Sequence, residues 1–264
     1  MAAEGFWRGQ VMRYARGWAG LGLALAMGAA IPIAAAPRAA GAMEVKRNDA
    51  LVDFSYGYPA AAARIPPLRR WLDQDRARFE ADARRTAQED RREATKNDYP
   101  FHPHDAARHW AVVTETPQLL SLSGETYRFT GGAHGGTLLD TIVWDKARQR
   151  RVDPRAMFTS AAALQDLLGA TWCAKLKAER TKRLGEDPGV DPVFPCPTID
   201  KLTLLLGSTN RRAIDRIGLI AGQYVAGAYV EGMYEVTLPV TPALLRIVKP
   251  EWRGAFAVGG DGAT

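Results

Sequence analysis

The sequence predicts an α+β domain in which helices pack on a mostly antiparallel sheet. Three observations carry this. Short stretches rich in Val, Ile, Leu, Trp, Tyr and Phe recur between Gly, Pro and Asp breakers, as strands do. Two longer stretches, near 66–96 and 160–184, place apolar residues at helical spacing among charged ones. The strand-like stretches follow one another in runs without alternating with helices, which favours antiparallel meanders over a parallel α/β sheet.

The chain of 264 residues begins with an export signal. Arg8, Arg13 and Arg16 precede an apolar run from Gly17 to Ala36, and Ala40-Gly41-Ala42 is an A-x-A cleavage site. The domain assignment is therefore 1–42 signal peptide, 43–258 one α+β envelope domain, and 259–264 a disordered tail. Pro32 and the Ala/Gly content make the apolar run a poor permanent span, so cleavage is expected over retention as an N-terminal anchor. The expected location is periplasmic or secreted, with no stable membrane span after cleavage. Residues 1–42 hold four arginines and one glutamate, half of the net charge of +6. The remaining charge of about +3 is mixed in sign along the chain, which argues against a nucleic-acid partner.

Residues 50–58 alternate and read as a strand. Pro66-Pro67 opens a helix to about Lys96, with Leu68, Trp71, Leu72, Phe79 and Ala83 on its packed side and a solvated arginine-rich end. Residues 97–108 have loop composition. Strands are expected at 109–116, 118–129 and 137–145, with a bend or bulge at Pro117. A polar turn at 146–151 and a return strand at 152–158 follow. Ser160 caps a second helix whose Leu164, Leu167, Leu168, Trp172 and Leu176 share one face. Further strands are expected near 202–206, 213–220, 223–230 and 233–240, then a short helix at 243–248 behind Thr241-Pro242. The order suggests two similar halves, about 45–158 and 159–258, each a helix with a meander. Cys173 and Cys196 are the only cysteines. In an oxidising envelope they read as one disulfide pinning the proline-rich loop 187–197 to the second helix.

The stretch Leu119–Phe158, with Tyr127, Gly131-Gly132-Ala133-His134, Asp145 and Phe158, resembles an extracytoplasmic domain. That domain is shared by RsiV-type anti-sigma factors, which bind lysozyme, and by PdaC-type peptidoglycan deacetylases, where it is an accessory region. Tyr224–Gly232 and Tyr234–Val240 resemble its tyrosine- and glycine-rich hairpin and proline-ended strand. The resemblance runs from about Val45 to Pro250 and implies an envelope domain used for recognition. Only about 16 residues precede the apolar run, so no sigma-holding domain is expected. No room remains for a deacetylase domain with its metal-binding aspartate and histidines, so that activity is not carried over. The turn 145–150 lacks the glycine usual in the family, and a different turn shape is expected.

His134, flanked by Gly131, Gly132, Gly135 and Gly136, is the sharpest candidate for chemistry. A displayed imidazole beside backbone N–H groups binds anions or moves protons; the plainer alternative is a histidine that fixes its own loop. Tyr224, Tyr229, Glu231 and Tyr234 suit a contact surface, tyrosine offering rigid area with a polar tip. His102, His104 and His109 are read as surface residues, their spacing unlike that of a metal site. Ser121 and Ser123 lie outside any nucleophile elbow, and Asp140, Asp145 and Asp153 have no readable catalytic spacing. No cofactor, metal or phosphate motif is expected. The leading expectation is a non-enzymatic envelope binding domain for a protein (lysozyme-like) or peptidoglycan-related ligand. The alternative is an envelope hydrolase using His134 with a nearby carboxylate. A third is a scaffold tethered by an uncleaved N-terminus.

Overall fold

The computed structural model describes residues 41–260 apart from 188 and 190. Residues 1–40, on which most of the expected export signal falls, and residues 261–264 lie outside the described residues. Two sheets carry the fold. The first has six strands in the order β1 (Met43–Asn48), β2 (Val52–Tyr58), β3 (His104–Glu115), β4 (Leu119–Phe129), β5 (Gly136–Asp145) and β6 (Arg150–Val152). The second has three, β7 (Thr203–Gly207), β8 (Arg216–Ala221) and β9 (Tyr234–Pro239). Every pairing is antiparallel except β2 with β3. That parallel pair needs a long crossover. It is supplied by α1 (Ala60–Ala63) and the 31-residue α2 (Pro66–Lys96).

Helix α2 begins at Pro66-Pro67, where a missing N–H costs nothing. It lays Leu68, Leu72 and Phe79 against Phe54, Tyr56, Trp110, Leu120, Leu122 and Ile142 of the first sheet. A buried polar chain runs through this layer: Trp110 Nε1 donates to Tyr56 Oη (3.1 Å), which donates to Asp75 Oδ2 (2.8 Å). Arg108 Nη1 donates to both Asp75 oxygens at 3.0 Å. Burial pushes the Tyr56 hydroxyl pKa far up, so it stays a donor to Asp75.

The second sheet has its own long helix, α3 (Ala161–Leu184), with Ser160 accepting from Ala163 N–H at its start and Gly185 closing it in the left-handed region. Leu164, Leu168, Trp172 and Leu176 pack against β7–β9. Helix α4 (Pro242–Ile247), capped by Thr241, covers the same core. Each sheet thus has one long helix, but the two halves are not alike as expected: in the first the helix is inserted between the parallel pair of its six strands, and in the second it precedes three antiparallel ones.

Several boundaries differ from expectation. β1 and the 3-10 turn Pro250–Ala255 were not anticipated; β1 is polar and half exposed, so its composition hides it. β3 starts five residues early, taking in His104–Arg108. Pro117 sits in the tight β3–β4 turn, closed by Thr116 N–H to Leu119 C=O (2.8 Å), and the bulge lies instead between Val112 and Thr114. The return strand is only three residues, because Pro154 starts a 3-10 turn over 154–157, capped by Asp153. Residues 223–230 are no strand but an irregular connection containing a 3-10 turn, Tyr229–Glu231. In the glycine-free turn after β5, Asp145 Oδ1 accepts from Ala147 and Arg148 N–H, and Gln149 takes φ 50° in place of a glycine. The expected tail begins as bonded chain: Gly259 N–H donates to Val240 C=O at 2.8 Å.

Cys173 and Cys196 form a disulfide that closes 23 residues of chain. Beside it Trp172 Nε1 donates to Pro197 C=O (3.1 Å) and Gln165 accepts from Ile199 N–H (2.8 Å). The double substitution of both cysteines by alanine is expected to lower unfolding free energy by about 3 kcal/mol. Urea titration with and without reductant checks this: reductant should destabilise the native chain by a similar amount and leave the variant unchanged.

Candidate functional site

The glycine-rich connection leaves β4 at Phe129 and enters β5 at Gly136. Gly131 and Gly132 have φ of 97° and 94°, a region that L side chains rarely adopt. Gly135 is needed for a different reason: a Cβ there would lie 2.4 Å from the Tyr127 ring. The loop therefore folds back on β4 and holds His134 outward.

Three aromatic rings meet at that point. His134 stacks on Tyr229 with centroids 3.7 Å apart and a 19° interplanar angle. Tyr224 lies 6.2 Å from His134 and 5.7 Å from Tyr229, tilted to both. Both imidazole nitrogens are engaged. Nδ1 lies 3.0 Å from Gly135 C=O, an acceptor only, so Nδ1 carries the proton. Nε2 then accepts from the Tyr224 hydroxyl at 3.1 Å. Tyr224 holds φ 64°, a left-handed conformation unusual for an aromatic residue, and is 53 % exposed. Strain of this kind persists only where surrounding contacts impose it. Gln223, the preceding residue, supplies one: its Oε1 accepts from Thr137 N–H at 2.9 Å. Thr126, Arg128, Thr137 and Leu138 join the rings around an open cavity of about 330 Å³. Leu138 and Val230 add exposed apolar surface nearby in sequence.

The other two residues expected on this surface lie elsewhere. Tyr234 is only 1 % exposed, so it is not part of an outer contact face. Glu231 is turned inward onto α3. Its carboxylate accepts from Arg180 Nε (3.1 Å), the Tyr234 hydroxyl (2.7 Å) and Ala228 N–H (2.8 Å). Burial alone would raise the Glu231 pKa; the bonds from Tyr234, Arg180 and Ala228 overcome it and hold the carboxyl below its usual range. Arg180 also pairs with Asp191 (3.0 Å) in the cysteine loop. Arg183 lies over the Tyr234 ring at 4.0 Å. Sequence reasoning missed Arg180 because it falls in a run of ordinary helix charges; its place on the apolar side of the wheel, four residues after Leu176, was the available signal.

Of the remaining histidines, His102 is exposed as expected, but His104 and His109 are not surface residues. His104 is buried at 3 % and bonds Asp90 Oδ2 at 3.1 Å from the side of β3 that faces α2. His109 points to the other side of the strand, with burial and Lys46 lowering its pKa to about 4. Alternation within β3 thus separates the two. Directly opposite His109, on β4, Glu125 has its pKa raised to about 7 by burial. Its Oε2 is buried without a partner among the described residues. Ser121 and Ser123 are buried in β4, Asp145 and Asp153 cap turns, and Asp140 is exposed in a second cavity, of about 520 Å³, beside β5.

Residues 45–137 match the family model described as Deacetylase PdaC. The PdaC-type resemblance is thus shown over the first sheet as far as the start of β5, including the glycine loop. No curated protein matches the chain. Among solved structures, the chain is similar to a DUF3298 family member from Bacteroides fragilis, at 15% identity and TM-score 0.49, over 81% of this chain and 95% of that one. It is also similar to a DUF3298 family protein from Pseudomonas aeruginosa, at 19% identity and TM-score 0.47, over 81% and 94%. Among the described residues no helix is long and apolar enough to cross a membrane.

Two predictions follow from the buried charges. Glu231→Ala leaves Arg180 without its best partner and is expected to cost about 3 kcal/mol in chemical denaturation. The pair Glu125 and His109 sets opposing pH dependences. Glu125 binds its proton more tightly folded than unfolded, so its contribution is lost as pH rises from about 4.5 through 7. His109 resists protonation when folded, so its contribution is lost as pH falls from about 6.5 through 4. In the native chain the two slopes largely cancel between pH 4.5 and 6.5. Stability of Glu125→Gln should therefore rise with pH across that window and that of His109→Gln should fall, each by about 1–2 kcal/mol after allowance for solvent screening. Urea midpoints measured at four or five pH values check both signs.

Proposed function

We propose that the protein is a non-enzymatic recognition domain of the cell envelope. Its ligand is a protein of the lysozyme kind or a fragment of peptidoglycan. Contact is made through the His134–Tyr224–Tyr229 platform. Export by the N-terminal signal and cleavage after Ala42 belong to the same reading. The observation that carries it is the state of His134: its lone pair is occupied by a tyrosine hydroxyl and its proton by a backbone carbonyl. Its ring is stacked on a second tyrosine.

A general base needs a free lone pair directed at a substrate proton. Here the phenol of Tyr224 meets the distance expected of a catalytic hydroxyl, but it spends its proton on the imidazole and stands on the outer surface. Among the described residues no ion pair joins His134 to a carboxylate. Rigid aromatic area with polar tips, bordered by Arg128, Gln223 and exposed Leu138, has the make-up of binding hot spots. The PdaC-type match supports an accessory, extracytoplasmic role.

Calorimetric titration of the purified protein with lysozyme and with muropeptides tests the ligand. One of the two should bind, and Tyr224→Ala with Tyr229→Ala should weaken it by about tenfold or more. Absence of binding by both at high micromolar concentration removes these ligands. Hydrolysis of muropeptides that disappears in His134→Ala would replace recognition with catalysis.

A further inference from the structure

The geometry points to the outer edge of β5 as a docking track for an extended peptide segment of a partner protein, added to the first sheet as a strand. This rests on the recognition reading and specifies the form in which a protein partner engages.

Three hydrogen bonds fix which way the β5 backbone faces. Lys146 N–H donates to Gln118 C=O (3.0 Å), continuing the register in which even-numbered residues bond β4. Thr137 N–H donates away from β4, to Gln223 Oε1 (2.9 Å). Leu139 C=O also faces away and accepts from Thr203 Oγ1 (3.3 Å). In an antiparallel ladder this alternation persists along the strand, so the odd residues of β5 point N–H and C=O outward. β6 covers only Val143–Asp145. From 136 to 142 the outer edge has no strand partner among the described residues, and Leu139 N–H and both backbone groups of the half-buried Thr141 have no hydrogen-bond partner among them.

Both cavities lie along this one edge. Gly136–Leu138 line the aromatic cavity and Leu139–Ile142 line the larger cleft, whose far wall includes Leu202 and Thr203. Seven residues of strand span about 23 Å. The occupant must offer donors and acceptors in alternation at strand spacing, which a polypeptide backbone does and a lipid or glycan does not. Its side chains then alternate between the side of Asp140 and Ile142 and the side of Thr141, with one end at Tyr224. Gln223 and Thr203 are side-chain stand-ins that occupy two of the edge's groups when no strand is present.

The test pans a phage-displayed library of random linear dodecapeptides on the full-length protein, then titrates the selected peptides. Thr141→Pro removes the outward N–H and keeps the backbone bonds to β4, losing only the bond from Thr141 Oγ1 to Leu122 C=O (3.3 Å), which Thr141→Ala loses as well. Proline is tolerated on an edge, and Thr141→Pro should weaken binding at least tenfold. Thr141→Ala keeps that N–H and should bind within about twofold of the native chain. Hydrogen exchange gives a readout independent of the variant's folding: Leu139 and Thr141 amides of the native protein should slow at least tenfold on peptide addition. The proposal is overturned by selected peptides that leave those amides unprotected, by unchanged affinity in a folded Thr141→Pro, or by failure to select any peptide. Peptides that depend on Tyr224 and Tyr229 but not on Thr141 would keep the aromatic platform and remove the strand track. Protection of the same amides by concentration-dependent self-association alone would assign the edge to a second copy and also overturn it.

Discussion

The candidate site exists because one carboxylate is held against one helix. Glu231 sits between β8 and β9, in a connection with no ladder of its own, and Arg180 on α3 fixes it from below. With two further bonds from Tyr234 and Ala228, the carboxylate has enough partners to offset the loss of water. That anchoring sets where the connection travels, and so brings Tyr224 and Tyr229 from the second sheet to the glycine loop of the first. Neither half of the chain holds the platform alone.

The fold was legible where periodicity was strong. Helix α2 starts at the Pro-Pro pair, α3 starts at Ser160, and β4, β5 and β9 fall within a residue or two of the apolar runs. Legibility failed where chemistry and conformation part company. β1 is a charged edge strand whose partner fixes it, not its own residues. Residues 223–230 have strand-like composition, yet their tyrosines meet the His134 ring and each other in place of a ladder. The parallel pairing of β2 with β3 cannot be read from either strand, since it depends on the helix between them.

Of the residues singled out for contact, His134, Tyr224 and Tyr229 converge, while Glu231 and Tyr234 serve as foundation for them. The sequence singled out segments that meet in space because glycines and tyrosines mark unusual backbone and rigid ring area. It could not assign inside and outside within a segment lacking regular period, and Tyr229 and Tyr234 differ in just that respect. The strained backbone of Tyr224 was invisible for the same reason: a left-handed residue is conventionally announced by glycine or asparagine. Gln149 repeats this lesson in the turn after β5.

The bridge between Cys173 and Cys196 has one more consequence. After α3 the chain between them is proline-rich, and most of its described residues from 185 to 195 are exposed, the sort of segment a protease attacks first. A single scission there divides the polypeptide into two fragments that stay covalently joined, α3 on one side and β7 to β9 on the other. Such a nicked molecule would run as one species until a thiol reagent parted it, and its two-sheet body could outlive the wound.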